Sequence, residues 1–276
     1  MIYSNNQTRE YEFDETSPIH KSTSSQVYRA YDKMFNRDVC LKISSYSSIN
    51  DLNRLKTEIV AQTRASAVCA NIPTLIDFFV RENDHSFCIV MQWITGETLR
   101  NEIKNIEPVT FLNLMISLCD ILHMIHRNGI QHKDIKPENI LLTANGLVYL
   151  IDFNICIALP NLQDGTEYYR APEMYIGGIA TSRAQVDIFS IGVMMYEYFT
   201  QKIPENGVHY GVNLFENQTT WSYFTSPQSI IETLPSRIDE IITKCMSRSP
   251  DERYRDVHQL KYDLKSTFKE IRQWKR

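Results

Sequence analysis

Apolar and polar positions along the chain follow two rhythms. Through about residue 90 the period is close to two. Ser25 to Asp32 and Asp38 to Ser44 read as strands, separated by Lys33-Met34-Phe35-Asn36-Arg37 as a hairpin loop. Phe78-Phe79-Val80 and Ser86 to Met91 read as a second pair across the turn Glu82-Asn83-Asp84. Between the pairs, Leu52, Leu55, Ile59 and Ala67 recur near helical spacing, which predicts one helix within Asn50 to Ala67. Pro73 lies a little beyond it and cannot continue a helix.

After Thr95-Gly96 the period lengthens. Phe111, Leu114, Met115, Leu118, Leu122 and Ile125 recur at three- and four-residue steps and predict a helix closed by Asn128-Gly129. Ile188 to Phe199 is apolar on nearly every side, the pattern of a helix buried within a large body. Ser236 to Met246 and Val257 to Ile271 read as amphipathic surface helices. The pattern implies an α+β fold, with a small β-rich lobe carrying one main helix and a larger α-helical lobe, joined near Gln92 to Gly96.

Composition narrows the function classes. At 276 residues, 43% hydrophobic and 22% charged, the chain is that of a soluble globular protein. A net charge of −4 gives no basic surplus for nucleic acid, and none is expected as a partner. The absence of any run of eighteen apolar residues predicts no transmembrane segment. The polar N-terminus MIYSNNQTREYEFDE is unlike a secretory signal, so the expected location is cytoplasmic. The six cysteines (Cys40, Cys69, Cys88, Cys119, Cys156, Cys245) form no CxxC pair and read as buried free thiols.

Chemistry concentrates after the first long helix of the second half. There stand His132-Lys133-Asp134-Ile135-Lys136-Pro137-Glu138-Asn139, then Ile151-Asp152-Phe153-Asn154, then Gly165-Thr166-Glu167-Tyr168-Tyr169-Arg170-Ala171-Pro172-Glu173. The first is similar to the H-R-D-x-K-P-x-N catalytic loop of the eukaryotic-type protein kinases, and the last to their G-T-x-x-Y-x-A-P-E segment. The chain resembles the serine/threonine branch of that family from about Tyr11 to Leu264, with the motifs in family order.

The resemblance implies a bilobal kinase fold that uses ATP with Mg²⁺, or Mn²⁺ in its place, and acts on protein substrates. It implies a tail over residues 1–10, an N-lobe over 11–91, a hinge over 92–96, a C-lobe over 97–270 and a basic tail over 271–276. It makes Asp134 the base that orients the substrate hydroxyl, and Lys136 the cation on the moving phosphoryl group. Asn139 and Asp152 become the oxygen ligands of the metal. Thr166 braces Asp134 and Lys136. Lys42, following Val39-Cys40-Leu41, takes the ATP phosphates and pairs with Glu58 on the predicted helix. Met91 guards the back of the pocket, and the Gln92 carbonyl and Ile94 N–H meet the adenine edge. Ile19, Val27 and Cys40 lie above the nucleotide and Leu141 below it. Asp187 and Arg253 fall at structural positions of the large lobe, the latter pairing with Glu173.

Three departures bear on activity. The family's glycine-rich loop is replaced by IHKSTSSQVY, with His20, Ser22 and Ser25 at the glycine positions and Val27 retained. Serine adds a Cβ where close backbone approach is wanted, but offers a hydroxyl that can donate to phosphate. Asn154 replaces the glycine after Asp152-Phe153, and asparagine tolerates the left-handed region. Lys133 stands where arginine is usual, and Ile155 to Asp164 holds no Ser, Thr or Tyr, which implies a segment formed without a phosphate switch. The reading is therefore an active serine/threonine protein kinase, with a pseudokinase acting as a nucleotide- or protein-binding scaffold as its alternative.

Overall fold

The computed structural model describes residues 2–5, 9–22, 25–153, 167–176, 184–204 and 225–274. Thr166, Asn154 and the segment from Ile155 to Asp164 lie outside these residues, as does most of the aromatic stretch around Phe215 and Trp221. The chain divides into two compact units, residues 1–96 with 143–151, and residues 97–142 with 152–276.

The first unit is a twisted antiparallel sheet with one long helix. Its strands are β1 (Ile2–Asn5), β2 (Arg9–Glu12), β3 (His20–Lys21), β4 (Ser25–Asp32), β5 (Arg37–Ser45), β6 (Leu75–Arg81) and β7 (Ser86–Gln92). They run β1-β2-β4-β5-β7-β6, with β3 hydrogen-bonded to β4. The segment before Tyr11, expected as a tail, thus contributes a strand pair. Helix α1 (Ile49–Val68) starts on a capping box. The Ser48 hydroxyl accepts from Asp51 N–H at 3.1 Å, and the Asp51 carboxylate accepts from Ser48 N–H at 3.0 Å. Hairpin turns close where single residues take left-handed backbone, Asn36 (φ 50°) and His85 (φ 51°).

Period-two alternation splits the sheet's side chains between two faces. One face buries Tyr11, Phe13, Tyr28, Ala30, Val39, Leu41, Phe79, Cys88 and Val90 in one cluster. On the other, Phe87 and Ile89 pack with Ile59 of α1.

The second unit is helical. A short pair, β8 (Glu97–Thr98) and β9 (Ile140–Leu142), accompanies α2 (Leu99–Glu102) and α3 (Pro108–His126). Then follow α4 (Glu173–Ile176), α5 (Gln185–Thr200), α6 (Pro227–Ile230), α7 (Ser236–Cys245), α8 (Val257–Ser266) and α9 (Phe268–Ile271). The single helix expected over Val257 to Ile271 is instead broken at Thr267. The Ser266 and Thr267 hydroxyls bond the carbonyls of Asp263 and Leu264, at 2.6 and 2.8 Å, in competition with the helical ladder.

Helix α3 is long and apolar enough to cross a membrane by length and composition alone. Phe111, Leu112, Met115, Leu118, Cys119, Leu122 and Ile125 are buried against other parts of the second unit, the pattern of a core helix. Helix α5 is buried along nearly its whole length. A Cβ added at its Gly192 would lie 2.6 Å from Cys245 Cβ and 2.8 Å from Met246 Cγ. Gly192→Ala is therefore expected to destabilise the protein by about 1–3 kcal/mol through overpacking. A lowered denaturant midpoint with an unchanged slope would show it.

Burial raises the thiol pKa values of Cys69, Cys88, Cys119 and Cys245, that of Cys88 to about 12, so these are inert core residues. Cys40 is half-buried, and all five of these cysteines are free.

Candidate active site

In the first unit the sheet register gathers several of the expected residues. Val27 on β4 stands opposite Lys42 on β5, Lys42 opposite Ile89 on β7, and Cys40 opposite Met91. Directly paired residues share a face, so Val27, Cys40, Lys42 and Met91 lie together on the side covered by α1. Ile19 joins them through its N–H, which donates to the Val27 carbonyl at 2.8 Å, although its side chain is exposed. Gln92 ends β7 with its N–H on the Thr74 carbonyl, and Ile94 is buried two residues on.

Lys42 has only 9% of its side chain exposed, and an ammonium so enclosed needs a counter-charge. Glu58 of α1 supplies it, with 2.5 Å between Nζ and Oε1. The helix position is thereby tied to the lysine. Residues flanking the pair, Ile59 and Ile89, are apolar and buried, which sharpens the demand for pairing.

The glycine-free turn is closed by serine. Ser22 N–H donates to the Ser25 carbonyl at 2.8 Å, and Ser25 N–H donates to the Ser22 hydroxyl at 3.0 Å. The two hydroxyls also stand 3.0 Å apart. Side-chain oxygen thus accepts an amide that would otherwise need a backbone partner.

The second unit holds the polar cluster. Lys136 Nζ lies 3.0 Å from Asp134 Oδ2. Asn139 Nδ2 donates to the same carboxylate oxygen at 2.9 Å and to the Asp134 carbonyl at 2.8 Å. Pro137 begins a single 3₁₀ turn over Pro137–Asn139, which brings Asn139 back to Asp134. Asp134 N–H donates to His132 Nδ1 at 3.3 Å, and the His132 ring packs edge-on against Phe153, 4.7 Å between centroids. His132 and Phe153 are both fully buried. Asp152 has a φ of 61°, left-handed for a residue with a Cβ, a conformation that carries about 1–3 kcal/mol of strain and collects at functional sites. Leu141 sits half-buried on β9, opposite Thr98.

The loop carrying Asp134 is hung from α5. Asp187, fully buried in the first turn of that helix, accepts Lys133 N–H at 2.7 Å and His132 N–H at 3.0 Å. These bonds hold Lys133 at a φ of 65°. Burial works to raise the Asp187 pKa, but the hydrogen bonds from His126 and from the His132 N–H outweigh it and hold it below the usual carboxylate value. Burial lowers the Lys133 pKa, with Asp187 opposing.

Two further ties brace this unit. Arg253, with a fully enclosed side chain, makes a two-pronged bond to Glu173 at 2.7 and 2.8 Å. Arg100 of α2 reaches Glu138 in the segment 132–139, Glu197 on α5 and the Tyr169 hydroxyl. Burial raises the Tyr169 pKa, with Glu197 adding to it. The Arg100 network and the contact of His126 with Asp187 are absent from the sequence reading. Their members are separated by 28 to 97 residues, so no local pattern announces them.

The protein kinase domain family model matches residues 13–263. The chain is 30% identical over 260 residues to the serine/threonine-protein kinase PrkC of Bacillus subtilis, covering 88% of this chain and 38% of that protein. A probable serine/threonine-protein kinase of Clostridium perfringens is 29% identical over 262 residues, 89% of this chain and 37% of its own length. The serine/threonine-protein kinase PknL of Mycobacterium tuberculosis is 29% identical over 268 residues, 92% of this chain and 65% of that protein. The chain thus spans less than two thirds of each relative.

Proposed function

The chain belongs to the protein kinase domain family, and from that premise we propose that it transfers the γ-phosphoryl group of ATP to serine or threonine hydroxyls of proteins. The observation that carries the proposal is the cluster of Asp134 with Lys136 Nζ at 3.0 Å and Asn139 Nδ2 at 2.9 Å. Phosphoryl transfer needs a group that orients the attacking hydroxyl, cations on the moving charge, and positioning of both reactants. Asp134 takes the first role, since its carboxylate can accept the hydroxyl proton. Lys136, held at the same carboxylate, is the cation for the transferred group. PrkC and PknL carry serine/threonine kinase activity in their names.

The donor set fits Mg²⁺. Asn139 turns its Nδ2 to Asp134, so its Oδ1 would be the atom offered to a metal, and Asp152 would add a carboxylate. Among the described residues no group of three His, Cys, Asp or Glu could hold an ion. That suits an ion carried by one or two protein oxygens together with nucleotide phosphates. When bound, such an ion neutralises phosphate charge and favours departure of the leaving group. Thr166 is proposed as the brace of Asp134 and Lys136.

In the first unit, Lys42 held by Glu58 is the cation for the remaining phosphates. Ser22 and Ser25 shape the phosphate loop, with hydroxyls in place of glycine. Ile19, Val27 and Cys40 are proposed as apolar contacts of the base and Met91 as the residue guarding the back of its pocket, while Gln92 and Ile94 offer backbone groups to its edge; Leu141 is proposed as a further apolar contact. The loss of glycine from the phosphate loop favours the scaffold alternative, and the retention of Lys42, Glu58, Asp134, Lys136, Asn139 and Asp152 outweighs it. Incubation with γ-labelled ATP, Mg²⁺ and a generic protein substrate should give acid-stable label on serine or threonine. No label above a protein-free control would overturn the reading.

Lys42→Met should lower kcat/KM by about 10²-fold, the scale of losing one charged contact to the reacting phosphates. Steady-state kinetics against ATP would measure it, and the loss should appear with the fold retained by circular dichroism.

A further inference from the structure

Trp93 leads the chain away from the sheet, and no hydrogen bond orients its indole. Beyond Gln92 the chain leaves the ladder of β7 and has no regular structure through Gly96. Trp93 is half-buried, and its Nε1 is buried without a hydrogen-bond partner among the described residues. A buried indole usually finds a partner for that N–H, and going without one is unfavourable. What fixes the ring must therefore act on its face.

Arg29 supplies that contact. Its guanidinium carbon lies 5.4 Å from the centroid of the Trp93 ring, and its Nη2 donates to Asp38 Oδ2 at 2.6 Å. A planar guanidinium can bond a carboxylate along its edge while its face covers an aromatic ring. As a surface ion pair alone, with 59% of the arginine side chain exposed, the Asp38 contact would contribute little. The ring is what sets this arginine apart. Along β4, Val27 and Arg29 project from one face of the sheet, while Tyr28 and Ala30 are buried in the other. Arg29 stands opposite Cys40, and Cys40 opposite Met91. The cation is thus on the face of the residues proposed to meet the base, where that face runs up to Trp93.

We propose that Arg29 is a positioning residue for the nucleotide base: laid across Trp93, it fixes the course of the chain from Gln92 to Ile94, so that the backbone groups there meet the base already ordered. The proposal rests on the kinase reading for the identity of the ligand. A segment that has to be ordered as the ligand arrives lowers affinity. Losing the contact should therefore weaken nucleotide binding and spare the transfer step, since Asp134, Lys136 and Asn139 belong to the other unit.

The test compares wild type, Arg29→Met and Arg29→Lys in the full chain, each also combined with Trp93→Leu. Methionine keeps much of the side chain's length without charge, and lysine keeps a cation that can lie on the ring. The Kd for ATP with Mg²⁺, read by titration, should rise about three- to tenfold in Arg29→Met and less than about threefold in Arg29→Lys, with kcat within about twofold in both. With Trp93→Leu present, Arg29→Met should change Kd by less than about twofold, because no ring is left to hold. Subtracting the emission of each Trp93→Leu counterpart isolates Trp93, which in Arg29→Met should emit at longer wavelength and be quenched faster by acrylamide. An unchanged Kd in a folded Arg29→Met would overturn the proposal, as would an unchanged Trp93 spectrum or a loss that persists in full without Trp93. A wild type that binds ATP yet transfers no phosphate would sink the transfer reading alone, since the Kd values and spectra still test Arg29. A wild type that binds no nucleotide would sink both.

Discussion

Asp134→Asn is expected to lower phosphoryl transfer by about 10³-fold, with the protein still folded and still binding nucleotide. The substitution keeps the shape of the side chain and removes its charge. Asn139 Nδ2 can still donate to an amide oxygen at that position, so the turn over Pro137–Asn139 has no reason to open. Two things are lost together. The amide cannot accept the proton of an attacking hydroxyl, a contribution of about 10²–10⁴ in rate. It also ceases to hold the Lys136 ammonium, now 3.0 Å from the carboxylate, by charge. The first-unit residues proposed to bind nucleotide are untouched, so nucleotide affinity should stay within a few-fold. The experiment is label transfer from ATP to a generic protein, beside a nucleotide-binding titration. A variant that transfers at the wild-type rate would remove Asp134 from the mechanism and return the chain to the scaffold reading.

How far the sequence leads differs between residues with local signals and residues without. The strand pairs announce themselves by period, and so does α1, because Ser48 and Asp51 close a capping box just ahead of an apolar stripe. Asp134, Lys136 and Asn139 are legible because all three fall within six residues, where one turn of chain can bring them together. Asp187 and Arg253 come only through likeness to a family, since each acts on groups far away in the chain. His126 and Arg100 escape altogether. A histidine closing an apolar helix looks like a solvated end, and an arginine in a four-residue helix looks like surface charge. Each is given a role by what folds against it. The break at Thr267 is a different kind of miss. Helical periodicity continues through it, and only the hydroxyls of Ser266 and Thr267 divert the ladder. Residues 2–5 and 9–12 pair as strands although their polar composition suggests a tail, because Tyr11 on β2 supplies a fully buried ring to the sheet's core.

Glu173→Ala is expected to destabilise the protein by about 3–5 kcal/mol, the cost of leaving one buried partner of an ion pair behind. The Arg253 side chain has no exposed surface, so its guanidinium cannot turn to water when the carboxylate goes. Its remaining bonds are to the carbonyls of Gln185, Ser247 and Arg248, with the Phe189 ring 4.9 Å away. Carbonyl dipoles and a ring face compensate a charge less well than a two-pronged carboxylate. For a chain of this size such a loss lowers the melting temperature by roughly 6–20 °C. Arg253→Met paired with Glu173→Leu should be milder than the sum of the single changes, because no charge then stays buried. That non-additivity separates an ion-pair effect from simple loss of packing. Glu173 opens α4, directly after the Tyr169-Arg170-Ala171-Pro172 run, so the same change should also loosen the backbone there. Faster amide exchange at Ala171 in Glu173→Ala would show this, and single and double variants of equal, additive and small effect would mean the pair is ornamental to the fold.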